Sequence, residues 1–156
     1  MKKIFFLTLI IFVLNQKSSG QSLSDSEAIE QTIRTFFDGF HQKDSVVLTS
    51  ILFKQIQIQT IKYNSENNHL YIENESIENF IKSITLIPDN VNFKEVIHDY
   101  QIKSDGLLAT AWTPYSFYVN DNLSHCGTNN FQLLNDDGVW KIISIIDTRK
   151  KENCKP

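Results

Sequence analysis

His125 is the residue whose chemistry is easiest to state, because an imidazole titrates near neutrality and can serve as base, acid or hydrogen-bond donor. In an acid/base reading it is the base and Tyr115 or Tyr118 the donor of a proton transfer of isomerase or dehydratase type. In the plainer reading it is a structural histidine tied to Tyr118 or to a backbone carbonyl. Asp147 lies close in the strand register but on the opposite face, so an Asp147–His125 dyad requires a twist or bulge near the strand ends. His41, His69, His98 and His125 are too scattered to form a spaced metal-ligand motif. No G-x-S-x-G, phosphate-binding glycine loop or paired-carboxylate signature occurs, so neither a metal nor a cofactor is expected.

These residues need a sheet to position them. Ala111 to Arg149 contains three runs of strand formers separated by the turns Asn120-Asp121-Asn122 and Asp136-Asp137-Gly138, the pattern of an antiparallel meander. Pairing the last two strands around Asp137-Gly138 sets Leu133 opposite Ile142, Phe131 opposite Ser144 and Asn129 opposite Ile146. One face then carries Trp140, Ile142, Ile146, Phe131 and Leu133, with His125, Asn129, Ser144 and Thr148 interspersed. The other carries Lys141, Ile143, Ile145, Asp147, Gln132, Asn130 and Cys126. Carrying the register back across the first turn puts Trp112 beside Phe131 and Tyr118 beside His125. Pro114 interrupts that strand, and a bulge there would exchange the faces of Tyr115, Phe117 and Tyr118. The first face is the better cavity lining. The expected ligand-binding set is therefore Trp112, Tyr118, His125, Asn129, Phe131, Trp140 and Ser144.

Helices must close the other side. Ser24-Asp25-Ser26-Glu27 is a capping box, and Ile29, Ile33, Phe36, Phe37 and Phe40 follow at three- and four-residue spacing, which predicts an amphipathic helix with an aromatic stripe. Asp44 caps a second, short helix through Val46 to Leu52. Gln55 to Tyr63 alternates as a half-buried strand, His69 to Glu73 is a short strand, and Asn74 to Ile84 a third helix with Ile77, Phe80, Ile81 and Ile84 on one face. Phe93 to Lys103 reads as a further strand.

The opening MKKIFFLTLIIFVLNQKSSGQ has two lysines, an apolar run from Ile4 to Leu14 and small polar residues. That is the layout of a secretory signal peptide over residues 1–20, and the run is shorter than the roughly 20 residues of a membrane span. Residues 21–156 are then one domain, exported to the periplasm or secreted, with no membrane attachment after cleavage. In such a compartment Cys126 and Cys154, the only two cysteines, are expected to pair. The formal charge of −3 and the scattered lysines and arginines exclude a basic nucleic-acid face.

The order of elements, with Trp112-Thr113-Pro114-Tyr115, Ser124-His125-Cys126-Gly127 and the ending Gly138-Val139-Trp140-Lys141-Ile142, resembles the NTF2-like (SnoaL-like) superfamily. More narrowly it is similar to the secreted branch described as lumazine-binding or nuclear transport factor 2 family proteins. The resemblance covers nearly all of residues 21–156 and implies an α+β cone, a curved antiparallel sheet packed on N-terminal helices around a pocket, often dimeric through the sheet. It specifies fold more than activity, because that superfamily includes isomerases, dehydratases, hydrolases, transport adaptors and proteins with no known reaction. The expected role is an exported protein that binds a small apolar or aromatic ligand in the cavity. An acid/base enzyme using His125 and a module that dimerises or binds a partner through the sheet face bearing Ile143 and Ile145 are the alternatives.

Overall fold

The computed structural model describes residues 24–154, so the expected leader at residues 1–20 lies outside the described residues. The capping box forms as read. Ser24 Oγ accepts from the Glu27 amide and the Glu27 carboxylate accepts from the Ser24 amide at 2.9 Å, which starts α1 (Asp25–Gln42). Its apolar stripe buries Ile29, Ile33, Phe36 and Phe37 against the sheet. Asp44 accepts from the amides of Val46 and Val47 and opens α2 (Ser45–Ile51).

The strands are β1 (Leu52–Tyr63), β2 (Leu70–Glu75), β3 (Phe93–Ile97), β4 (Gln101–Ser104), β5 (Leu108–Val119), β6 (Asn122–Asp136) and β7 (Val139–Arg149). Between β2 and β3 lies α3 (Ile77–Thr85), which begins later than Asn74 because Ser76 takes the capping role and accepts from the Asn79 amide. The sheet order is β2-β1-β7-β6-β5-β3, with β4 also on β5. It is α+β with the helices on one face, and the sheet is mixed rather than wholly antiparallel, because β1 joins β7 in parallel.

The strand expected over Phe93 to Lys103 is two strands. His98 donates its amide to the Pro114 carbonyl, and the Asp99 carboxylate accepts from the Tyr100 amide and the Gln101 side chain, which turns the chain opposite a residue that has no N–H to offer. The two hairpin turns have the positive φ values that match strand twist, at Asn120 and Asp121 and again at Asp137 and Gly138.

Two bulges reset the faces. Leu133 pairs with Ile142 as expected, but Ile143 is an extra residue, so Phe131 pairs with Ile145 and Asn129 with Asp147. Ile145, Asp147 and Arg149 therefore turn inward, and Ser144, Ile146 and Thr148 turn to the outer face. On β5–β6 the shift falls between Phe117 and Tyr118, so Phe117 rather than Tyr118 faces His125.

Cys126 and Cys154 are joined as a disulfide, with Cα atoms 5.6 Å apart, after Cys126 pairs with Lys150 at the end of β7. Loop entropy for 28 residues sets an upper bound of about 3.5 kcal/mol, which any structure retained by the unfolded chain would lower. Cys154→Ser is expected to cost about 2 kcal/mol. Urea denaturation of the oxidised and substituted proteins measures it, and equal midpoints would show that the bridge does not stabilise the fold.

Candidate functional site

Between α1, α3 and the inner face of the sheet lies a cavity of about 420 Å³. Its apolar end is aromatic because the α1 stripe ends there. Phe36, Phe40 and Phe80 lie with their planes within 9° of parallel and centroids 6.0–6.3 Å apart, and Phe131 meets Phe36 edge-on at 5.7 Å. Phe117 continues the wall, stacked on the His125 ring at 4.8 Å.

The other end is polar and is built by residues of six strands. Asp147 accepts from Thr60 Oγ1 at 2.6 Å and from Arg149 Nε at 2.9 Å. The Tyr115 hydroxyl donates to the Thr148 carbonyl at 3.0 Å and lies 3.3 Å from Asp147 Oδ2. Gly127 makes that approach feasible, since a Cβ there would stand 1.7 Å from the Thr148 carbonyl oxygen and 3.0 Å from the Tyr115 ring. Across the cavity, Asn129 Nδ2 donates to Glu95 Oε1 at 2.7 Å. Glu95 is held from behind as well, its amide donating to His41 Nε2. Glu73 and Glu75, from β2, complete the rim.

Burial sets the protonation states. Loss of water pushes the Glu95 carboxyl up to about 7, the Asn129 amide opposing and Asp147 adding to the rise. Burial also raises Glu75, with Arg149 opposing. The His125 imidazole is brought down to about 4 by burial and by Arg149, so it is neutral at neutral pH. Burial and the neighbouring Asp147 raise the Tyr115 hydroxyl far above the usual phenol range. Burial works against the charge of Arg149, but Asp147 at its Nε outweighs it and holds its pKa up.

Of the sequence-derived ligand set, His125, Asn129 and Phe131 line this cavity. Trp112 does not. It is 49 % exposed on the outer face of β5, opposite Asn130 and Gln101, because its neighbours Ala111 and Thr113 are the inward pair. Tyr118 is displaced by the bulge next to it, and Ser144 is turned outward by the bulge at Ile143. Trp140 is buried in the core without lining the cavity. The expectation that Asp147 points away is reversed by the same Ile143 bulge. It brings Asp147 to the His125 side, yet His125 Nδ1 contacts Ser124 Oγ at 3.2 Å and Asp147 is occupied by Thr60 and Arg149, so no dyad forms. The sheet face proposed from Ile143 and Ile145 also divides, since Ile145 is buried on the cavity side. Glu95 was not among the expected site residues. Alternation along Phe93, Glu95 and Ile97, with Phe93 buried, is the signal that places it inside.

No protein-family model matches the chain, and no curated protein sequence matches it. Solved structures do. An NTF2-like protein from Cytophaga hutchinsonii is similar at a TM-score of 0.65 and 14 % identity, over 82 % of this chain and 100 % of that one. An NTF2-like protein of unknown function from Shewanella baltica is similar at 0.58 and 17 %, over 84 % and 100 %. A protein of unknown function with a cystatin-like fold from Nostoc punctiforme is similar at 0.63 and 12 %, over 82 % and 92 %. The fold is NTF2-like.

Proposed function

We propose that this NTF2-like fold serves as an exported, periplasmic or secreted receptor for a small, largely aromatic or apolar molecule held in the cavity under α1. The observation that carries the reading is one cavity of about 420 Å³ with a phenylalanine wall at one end and a few fixed polar groups at the other. The apolar wall supplies contact area, and Glu95, Asn129 and His125 orient the ligand. The leader-like residues 1–20 and the Cys126–Cys154 disulfide favour an oxidising compartment. A homodimer through the outer sheet face, where Trp112 is exposed, is the partner reading compatible with this role.

Native mass spectrometry of protein purified from its own host is expected to show a retained small molecule. Phe80→Ala should weaken its rebinding roughly tenfold by removing contact area, whereas Trp112→Ala should leave it unchanged. Apo mass throughout, or Trp112→Ala acting as strongly as Phe80→Ala, defeats the reading.

One observation favours a second reading. A carboxyl that titrates at about 7 beside a cavity is suited to accept a proton from a bound substrate, so an acid/base enzyme would use Glu95 in place of His125. Its mark would be turnover that rises with an apparent pKa near 7 and disappears in Glu95→Gln with binding retained.

A further inference from the structure

We propose that the cavity selects molecules that join an aromatic or apolar body to a protonated amine, the ammonium group seated against Glu95. This rests on the receptor reading above and names the ligand class. Glu73, Glu75, Glu95 and Asp147 line the cavity, and Arg149 is the one guanidinium or ammonium group among the described residues lining it. Two of these carboxylates already have cations. Asp147 is paired with Arg149 at 2.9 Å and Glu73 with Lys62 at 2.7 Å. Among the described residues neither Glu75 nor Glu95 has a cation within ion-pair distance, Arg149 acting on both, and Lys62 on Glu75, from farther away.

Glu95 is the sharper case. One oxygen accepts from Asn129, and the other receives no hydrogen bond from any described residue. Holding a carboxylate there costs desolvation that a glutamine would avoid, and a cation arriving in the cavity would offset that cost. Of the surrounding groups, Arg149 favours the Glu95 carboxylate only weakly, its Nε being held by Asp147. His125 is neutral at neutral pH, and the Tyr115 hydroxyl is directed at Thr148 and Asp147. The wall of Phe36, Phe40 and Phe80 at the other end takes the ligand's aromatic or apolar body. An anionic ligand would meet Arg149 with its Nε already given to Asp147, and Glu75 and Glu95 as opposing carboxylates.

Three matched probes test this at pH 8 by isothermal titration of the disulfide-bonded protein: tryptamine, indole-3-ethanol and indole-3-propionate. Tryptamine is expected to bind about tenfold tighter than the alcohol, since an ammonium–carboxylate ion pair replaces a hydrogen bond from a neutral hydroxyl, and the propionate weakest. Glu95→Gln should remove most of tryptamine's advantage over the alcohol, weakening tryptamine more than the alcohol. Glu75→Gln should remove a smaller part of the preference and serves as the second variant. The preference should also shrink at pH 5.5, where Glu95 is protonated and His125 stays mostly neutral. Equal affinity for tryptamine and the alcohol overturns the ammonium preference and leaves the receptor reading standing. Propionate binding best overturns the preference outright. If none of the three binds, both readings fall together.

Discussion

Phe131→Ala is expected to destabilise the protein by about 4 kcal/mol, within the range of buried phenylalanine truncations, while Trp112→Ala changes stability by less than about 1 kcal/mol. Phe131 is 0 % exposed in the middle of β6, with its ring edge-on to Phe36 at 5.7 Å and Phe37 at 5.9 Å. Both partners are on α1, so the truncation removes the aromatic contact that seats the helix on the sheet and merges the void with the existing cavity. Few atoms are free to fill that space. Trp112 has solvent over half its surface, and its removal leaves no void. Urea unfolding of the two variants gives the comparison, and similar losses at both sites would mean that Trp112 is covered by another surface in solution.

The contrast between these two residues also shows where the sequence was readable. The helices were legible because caps and stripes are local: Ser24 with Glu27, Asp44, and the run Ile29 to Phe40 each need only neighbours along the chain. The hairpin turns were legible for the same reason. The site was less so, because it depends on parity across two bulges. In Lys141-Ile142-Ile143-Ser144-Ile145-Ile146-Asp147 isoleucines occupy both parities, so either face satisfies the hydrophobic alternation and nothing in the pattern reports the extra residue at Ile143. Every inward residue after it was therefore exchanged, which hid Asp147 and Arg149. Glu95 was hidden differently. Its alternation with Phe93 pointed inward, but an acidic residue at an inward position conflicts with ordinary burial preferences and gains its sense only from Asn129, 34 residues away.

Glu95→Gln is expected to stabilise the unliganded protein at pH 8 by about 3 kcal/mol, raising its melting temperature by about 10 °C, and to leave it nearly unchanged at pH 4. The sign follows from the direction of the shift. The folded-state pKa of Glu95 is about 7 against an ordinary 4.5, so below pH 4.5 the carboxyl is protonated in both states and contributes no difference. As pH rises from 4.5 to 7 the unfolded chain ionises first, and the stability associated with the neutral carboxyl is lost. Above that window the folded protein holds a poorly solvated carboxylate. Glutamine keeps an acceptor for Asn129 Nδ2 and never ionises, so it escapes the loss. His125, lowered to about 4, contributes with the opposite slope, its stability being lost as pH falls below 6.5, but it does so in both proteins and cancels from their difference. Thermal melts of the pair at pH 4 and pH 8 test the claim, and a gap that does not widen with pH refutes it. An ammonium ligand that pairs with Glu95 should return part of that stability to the wild type at pH 8 and none to the glutamine variant.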